Sequence, residues 1–247
     1  MTCFALTDKG TVRRENQDVA CVNDALAPGT ALAVVCDGMG GARSGRVASQ
    51  LAADEFMAET VRLLKRFPAA DAVDLLNAAA ERANRAVYER SRSDARYYGM
   101  GTTLVAALIR GSECCVLNIG DSRAYHITPE GIFQISRDHS VVENMVAKGD
   151  LTPLEARTHP NRNLITRALG PDIHAKADTF ELPWHKDEFL LLCSDGLVNT
   201  VSDQEMLFEV LHDGDVNECL DHLLQISLQR GAPDNITAVL LLNEEGR

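Results

Sequence analysis

Four short acidic motifs lie beside apolar runs in this chain. They are Asp37-Gly38-Met39-Gly40-Gly41, Gly120-Asp121-Ser122-Arg123, Ser194-Asp195-Gly196 and Asp234-Asn235. The neighbouring runs, each typical of a buried strand, are 31–36, 114–119, 189–193 and 236–242. A buried carboxylate without a counter-charge costs several kcal/mol or more, so repeated aspartates at strand ends predict bound cations. Carboxylate oxygens, a backbone carbonyl and water suit Mg²⁺ or Mn²⁺ rather than Zn²⁺.

Each of these aspartates has a simpler explanation when it is taken alone. An aspartate after a strand often caps a turn, Asp234 can form an Asx-turn with Asn235, and the loop at Asp121 can be a plain hairpin turn. The four motifs as a set, beside Arg13, favour a metal site.

The composition limits the classes of protein to which the chain can belong. Its 247 residues, 45% of them hydrophobic, fit one domain with a continuous core. The net charge of −12 argues against broad attraction to nucleic acid or to an anionic membrane. No apolar run approaches the roughly 20 residues that span a bilayer, and the first residues lack the pattern of a secretory signal. We therefore expect no nucleic-acid and no membrane partner.

The cysteines indicate a reducing compartment. There are seven of them, without metal-ligand spacing, and several lie inside apolar runs where cysteine behaves as a small hydrophobic residue. We expect a cytoplasmic protein with free thiols.

The periodicity of apolar residues predicts an order of strands and helices. Strands are predicted at 2–6, 18–22, 31–36, 102–109, 113–118, 123–128, 132–135, 176–181, 189–193 and 236–242. Long helices are predicted from Ser44 to about Lys65 and from Asp71 to about Ser91. In four further places a capping residue precedes a glutamate by three positions, which predicts a helix start. These starts are Ser140, Thr152, Ser202 and Asp215.

The grouping of these elements predicts the fold. Short turns between the strands of 102–135 predict an antiparallel meander. Antiparallel groups of strands and paired helices argue against a βαβ winding and for two sheets with helices outside them. The predicted fold class is α+β, a four-layer α-β-β-α sandwich formed by a single domain of residues 1–247, with the metal site between the sheets at one end.

With the motif Arg13-Arg14-Glu15-Asn16-Gln17-Asp18 added, the whole chain resembles the metal-dependent protein phosphatases of the PPM, or PP2C, class in their compact bacterial form. The further matching motifs, in order, are 99–103, 137–140, 159–170, 194–197 and 234–237. Any one of them is weak alone, but their order and spacing over one domain make chance agreement very small.

The resemblance implies roles for particular residues. Asp37 would bridge two Mn²⁺ or Mg²⁺ ions, and the Gly38 carbonyl would join the shell of one, with Gly40 and Gly41 letting the backbone approach. Asp195 and Asp234 would complete the ligands of the other ion. Asp18 would hold metal-bound waters, and Asp121 with Asp195 matches a third, weaker metal site. Arg13 would bind the phosphoryl oxygens by forked hydrogen bonds, whereas Arg14 is expected to be a solvated surface charge.

The implied activity is hydrolysis of phosphoserine and phosphothreonine in proteins, by direct attack of a hydroxide that bridges the two ions. The expected partners are phosphoproteins modified by a cognate kinase, and the protein is expected to be a monomer. An alternative of another class is a catalytically inactive module of the same fold that binds a partner. Such a module should have lost metal carboxylates, and Asp37, Asp195 and Asp234 are all present.

One position departs from better-studied relatives, which carry a histidine where this chain has Met39. Methionine cannot protonate the leaving oxygen, so a metal-bound water is the first candidate for the acid and His139 a weaker one. The resemblance implies that residues 141–170 form the flap subdomain that neighbours the active site in bacterial relatives. Its basic residues either contact phosphorylated or acidic protein surfaces or are solvated loop charges, and the sequence favours neither interpretation. They are Arg157, His159, Arg162 and Arg167.

Overall fold

The computed structural model describes residues 1–40, 44–212 and 216–244, and within them the elements follow the predicted order. The strands are β1 (Thr2–Asp8), β2 (Asp18–Ala27), β3 (Thr30–Met39), β4 (Gly101–Thr102), β5 (Leu104–Arg110), β6 (Glu113–Ile119), β7 (Arg123–Thr128), β8 (Gly131–Gln134), β9 (Asp178–Pro183), β10 (Phe189–Cys193) and β11 (Ile236–Leu242). The helices are α1 (Ser44–Arg66), α2 (Ala72–Ser93), α3 (Val141–Lys148), α4 (Pro153–Thr158), α5 (Asp195–Val198), α6 (Asp203–His212) and α7 (Val216–Gln229). Gly41 and the predicted helix start at Asp215 lie outside the described residues.

The strands form two antiparallel sheets. One sheet has the order β1-β11-β10-β7-β8, and the other has the order β2-β3-β5-β6-β9 with β4 paired to the end of β3. The helices α1 and α2 pack on the outer face of the second sheet, and α5, α6 and α7 pack on the outer face of the first. The predicted α-β-β-α sandwich is confirmed.

The strand β3 shows why the layers hold together. Ala31, Ala33 and Val35 face the other sheet, whereas the alternate residues Leu32 and Val34 face α1 and α2. All five are fully buried. Successive side chains of a strand point to opposite faces, so a run that is apolar at every position must be covered on both sides.

The helix starts follow the predicted capping chemistry. Asp71 accepts hydrogen bonds from the backbone N–H groups of Val73 and Asp74 at the start of α2. Thr152 and Glu155 form a reciprocal capping box at α4. These side chains satisfy amide groups that the first helical turn leaves without a partner.

No helix in the described part of the chain has the length and apolarity needed to cross a bilayer.

The predicted meander is wrong. The strands β5 and β6 pair in one sheet, but β7 and β8 pair in the other, so the turn Gly120–Ser122 carries the chain between sheets. Several strand boundaries also differ from prediction, and two of them concern the site. The strand β3 continues to Met39, which places Asp37 and Gly38 inside the strand, and the predicted strand 102–109 is divided between β4 and β5.

Candidate metal centre and active site

Strand register brings distant aspartates to one end of the sandwich. In the β2–β3 pair, Asp18 lies directly opposite Asp37. In the other sheet, Asp195 follows β10 and Asp234 precedes β11, and these strands are antiparallel neighbours. The end of one antiparallel strand lies beside the start of the next, so both acids emerge at the same edge.

A cavity of about 650 Å³ opens at this end of the molecule. Its wall contains six of the seven predicted site residues, which are Arg13, Asp37, Gly38, Asp121, Asp195 and Asp234. Arg14, expected to be a plain surface charge, also lies on the wall. The structure thus collects the predicted set around one space, and the role of each residue as a ligand stays a prediction.

The seventh residue, Asp18, lies behind the wall. Its Oδ2 accepts a hydrogen bond of 2.7 Å from the Ser194 hydroxyl, whose oxygen in turn accepts from the Thr237 N–H at 3.1 Å. Because Asp18 belongs to one sheet and Ser194 and Thr237 to the other, this chain of bonds ties the sheets together at the cavity. Ser194 and Thr237 lie inside the motifs 194–197 and 234–237, but the sequence assigned no role to either side chain.

The acids of the cavity are poorly solvated and close to one another. Burial, followed by the charges of Asp18 and Asp195, raises the pKa of Asp37 well above its ordinary value. Burial and the charge of Asp195 raise the pKa of Asp121 to about 7. Burial raises the pKa of Asp18 to about 6, and burial with the charge of Asp234 does the same for the pKa of Asp195. Each shift has the sign expected when the ionised form lacks a counter-charge.

Two buried oxygen atoms identify where that counter-charge is missing. Oδ1 of Asp18 and Oδ1 of Asp195 are shielded from solvent and have no hydrogen-bond partner. Buried polar atoms without a partner are rare, and they often mark the position of a water molecule or an ion. The donor set consists only of carboxylate and carbonyl oxygens, which fits a hard divalent cation with bound water.

The site is open rather than closed. Among the described residues, no three acidic, imidazole or thiol side chains converge to enclose one ion by themselves. The acids are instead distributed along the cavity wall. Such a wall suits Mg²⁺ or Mn²⁺, which keep several waters and take few protein ligands. It differs from the closed tetrahedral arrangement of a structural Zn²⁺ site.

Arg13 places a positive charge at the cavity mouth. Its Nη2 lies 2.6 Å from Oδ2 of Asp234, and its side chain is 55% exposed. The hydrogen bond to Asp234 raises the pKa of this guanidinium, which therefore stays charged. One bond leaves most of the five N–H donors of the guanidinium available to an anion in the cavity.

Two glycines allow the close contacts that place the acids. A β-carbon at Gly38 would overlap the carbonyl of Gly45 at the start of α1, and one at Gly196 would overlap the carbonyl of Asn235. The first contact brings the helix against the end of β3. The second brings α5, which begins with Asp195, against the loop that carries Asp234.

Thr103 and Ser122 are site residues that sequence reasoning missed. The Thr103 hydroxyl accepts from the Asp37 N–H at 2.9 Å and shares a hydrogen bond of 2.7 Å with the Ser122 hydroxyl. Both hydroxyls are buried. The pair connects Asp37 to the turn that carries Asp121. Thr103 lies in the motif 99–103 and Ser122 in the motif Gly120–Arg123, but neither motif assigned a role to these hydroxyls.

His139, a candidate acid, is turned away from the cavity. Its side chain is 5% exposed, Nδ1 accepts from the Gly120 N–H and Nε2 bonds Asp178. Burial lowers its pKa.

Of the basic flap residues, Arg167 is paired with Asp178 at 2.7 Å, so it faces the body of the protein rather than solvent alone.

This sandwich, with acids from both sheets around a cavity that carries an arginine, is the arrangement expected of metal-dependent phosphatases. Residues 12–240 match the model of the protein phosphatase 2C family, and the chain belongs to that family. It is 35% identical over 249 residues to the serine/threonine phosphatase stp of Listeria monocytogenes, an alignment that covers 98% of this chain and 96% of that protein.

Solved structures agree with this assignment. The serine/threonine phosphatase PstP/Ppp of Mycobacterium tuberculosis superposes with a TM-score of 0.88 at 35% identity, over 99% of each chain. The catalytic domain of PstP in complex with two manganese ions superposes with a TM-score of 0.83 at 34% identity, over 97% of this chain and 96% of that one.

Proposed function

We propose that this protein is a serine/threonine phosphatase that hydrolyses phosphoserine and phosphothreonine in proteins with the help of Mn²⁺ or Mg²⁺. The observation that carries the proposal is the group of five aspartates at the cavity, two of which have buried oxygens without partners. The named activity of the relatives and the two manganese ions of the PstP domain support it.

The proposed ligands of the ion pair are Asp37, the Gly38 carbonyl, Asp195 and Asp234, with Asp18 holding water behind them. Asp121 with Asp195 would hold a third, weaker ion. Two bound ions would supply the nucleophile by lowering the pKa of a shared water molecule, and they would neutralise charge on the phosphoryl group.

The chain's own residues would bind and orient the phosphate ester. Arg13 would donate forked hydrogen bonds to the phosphoryl oxygens, while Asp234 holds its guanidinium at the mouth of the cavity. Since Met39 has no proton to give and His139 lies behind the wall, the leaving oxygen would take its proton from water in the cavity.

The alternative of an inactive binding module is not favoured. Such a module would not need the acids, because unpaired buried carboxylates destabilise a fold unless they bind a cation. All five are present and grouped at the cavity. The kinase that supplies the substrates, the monomeric state and the cytoplasmic location stay predictions.

The direct test is release of phosphate from a phosphothreonine peptide by the purified protein. We expect turnover with Mn²⁺, none with excess EDTA, and a loss of at least about 10³-fold in Asp37→Asn. Asp221→Asn, at an exposed aspartate of α7, is the matched control and should keep full activity. Turnover that persists in EDTA would contradict the metal-dependent mechanism, and no turnover by the folded, manganese-loaded protein would contradict the function.

A further inference from the structure

A second groove, with a volume of about 640 Å³, lies on α1 beside the candidate active site. It is called the α1 groove below. Residues four and eight positions apart lie on the same face of a helix, so the α1 residues of the groove form one stripe along that helix. They are Arg46, Val47, Gln50, Leu51 and Asp54.

The α1 groove is continuous with the active-site cavity, because Glu15 lines both. The loop that carries Glu15 is fixed on two sides. Nδ2 of Asn235 donates to the Glu15 carbonyl at 3.1 Å, and the Ser49 hydroxyl of α1 donates to the Gln17 carbonyl at 2.5 Å. A peptide that leaves the cavity across Glu15 therefore enters the groove.

The charges of the α1 residues are separated along the groove. Arg46 lies in the first turn of α1, which packs against Gly38 of the cavity wall. Asp54 lies eight residues later, at the far end of the groove. With a rise of 1.5 Å per residue, the two positions are about 12 Å apart along the helix axis.

Helix α2 adds a second arginine at the end near the cavity. Arg82 of α2 bonds Glu55 of α1 at 2.9 Å, which sets the register of the two antiparallel helices. Arg90, eight residues after Arg82, therefore lies beside the first turns of α1 and lines the groove. Glu15 offsets one of the two arginines, so the end near the cavity stays net positive.

Neither arginine of the groove has an acidic partner. Within the part of the chain that the structure describes, the guanidinium groups of Arg46 and Arg90 form no ion pair, although the protein carries a net charge of −12. Arg90 instead lies 4.4 Å from the centre of the Tyr97 ring. Arg46 occupies the first turn of a helix, where the helix dipole disfavours a cation, and no acid shares that turn. Both cations are available to an acidic group of a partner.

We propose that the α1 groove binds the segment of the substrate protein next to the phosphorylated residue, and that it selects an acidic, an apolar and a basic side chain in this order outward from that residue. The inference rests on the proposed function for its phosphoryl site and deepens it by stating the class of substrate. Arg46 and Arg90 would pair with the acid, and the half-buried Val47 and Leu51 would contact the apolar side chain. Asp54 would pair with the base.

The length of the groove fixes the spacing of these side chains. One oxygen of Asp54 accepts from Gln50 at 3.0 Å, which leaves the other for a basic group of the substrate. An extended peptide rises about 3.3 Å per residue, so about 12 Å correspond to three or four residues. The acid and the base of the substrate should therefore be three or four positions apart.

The kinetic test uses phosphothreonine peptides that carry Asp and, four residues further from the phosphothreonine, Arg. The pair is moved one position at a time along either side of the phosphothreonine, and kcat/KM is measured at saturating Mn²⁺. Each peptide is compared with one in which Asp and Arg are exchanged, so composition and net charge are the same. We expect one register on one side to be preferred about two- to fivefold over its exchanged form, as for exposed ion pairs.

Substitutions in the groove should change this preference. Arg46→Glu combined with Arg90→Glu should abolish it, and the further change Asp54→Lys should reverse it in favour of the exchanged peptide. Arg85→Glu combined with Arg92→Glu is the matched control, since these exposed arginines of α2 lie outside the groove and give the same change in charge. The control should keep the preference of the wild type. A wild type without any preferred register, or a preference that persists in the Arg46 and Arg90 variant, would overturn the proposal.

Binding without turnover separates this inference from the proposed function. An unphosphorylated peptide with the spacing Asp-x-Leu-x-Arg should shift the NMR signals of the Gln50 and Leu51 amides in the wild type and not in the Arg46 and Arg90 variant. These shifts without any phosphatase activity would overturn the proposed function alone. Absence of the shifts in an active phosphatase would overturn the docking proposal alone. Shifts at these amides on dilution of the protein by itself would identify a second copy of the chain as the occupant, and would also overturn it.

Discussion

At the scale of single residues, the cavity combines carboxylates that repel one another with an arginine, Arg13, that bonds one of them. Arg13 bonds Asp234 and keeps donors toward the cavity, whereas Asp18 and Asp195 keep buried oxygens without partners. This division assigns anion binding to the arginine and cation binding to the acids. Each half of the site can therefore be tested by a separate substitution.

Arg13→Ala should lower kcat/KM for a phosphothreonine peptide by roughly 10²–10³-fold, because a charged donor to the transferred phosphoryl group is lost. Arg13→Lys keeps the charge and loses the planar fork, so it should fall between the wild type and Arg13→Ala. Steady-state kinetics at saturating Mn²⁺ measure both. Equal activity of all three proteins would remove Arg13 from the mechanism.

Thr103→Val should lower the free energy of unfolding by about 1–3 kcal/mol, since the Asp37 N–H would be left buried without an acceptor. Thr60→Val is the matched control: Thr60 is also fully buried, but it donates to the Phe56 carbonyl within α1, so its loss should cost less than about 0.5 kcal/mol. Urea unfolding measures both variants. A neutral Thr103→Val would show that the hydroxyl does not hold Asp37.

At the scale of elements, much of the fold follows from local pattern. The long helices begin and end within two or three residues of prediction because their apolar period and their caps are encoded next to each other. The pairing of β7 was mispredicted for a physical reason. The short turn between β6 and β7 favours a hairpin of these two strands. The partner of a strand depends instead on which of its faces must be buried, and β6 and β7 belong to different sheets.

The packing of α5 against the loop 234–235 is the contact that brings two predicted ligands together. Gly196→Ala would place a methyl group on the Asn235 carbonyl. We expect a loss of about 1–3 kcal/mol in stability and weaker Mn²⁺ uptake, since Asp195 must move with the helix. Calorimetric titration measures the uptake.

The control for this variant is Gly111→Ala, in the turn between β5 and β6. Gly111 has a φ of +60° and no atom within 4 Å of an added β-carbon, so alanine there costs about 1–2 kcal/mol of backbone strain without touching the site. It should lose stability and keep the Mn²⁺ affinity of the wild type. Equal affinity in Gly196→Ala would show that this contact does not position Asp195.

At the scale of the whole molecule, the sequence motifs identified the family, and the structure brings their acids to one cavity. The motifs did not reveal the hydrogen bonds that hold those acids. Ser194 bonds Asp18, Thr103 bonds Asp37, and His139 bonds Gly120. In each pair the two residues are distant in sequence. Such contacts depend on how two sheets pack, and no local pattern encodes them.

The raised pKa values predict how the metal-free protein responds to pH. Folding raises the pKa of Asp121 to about 7 and that of Asp18 and Asp195 to about 6, above the unfolded value of about 3.9. The folded state then binds more protons than the unfolded state between about pH 4 and pH 7, so stability from these groups falls as pH rises through this range.

In EDTA, the midpoint of thermal unfolding should therefore be higher at about pH 6 than at about pH 8. Saturating Mn²⁺ should raise the midpoint at both values, and more at the higher pH, because cations replace the missing counter-charge where the acids are ionised. Asp121→Asn should reduce the pH dependence in EDTA. A midpoint that rises with pH over this interval in EDTA would contradict the electrostatic description of the cavity.

Calorimetric titration of Mn²⁺ into the chelator-treated protein tests the central claim most directly, because it detects ion uptake without relying on any substrate. We expect binding of at least two ions by the wild type and by Asp221→Asn, and loss of that binding in Asp37→Asn. A folded wild-type protein that takes up no Mn²⁺ and no Mg²⁺ would contradict the claim.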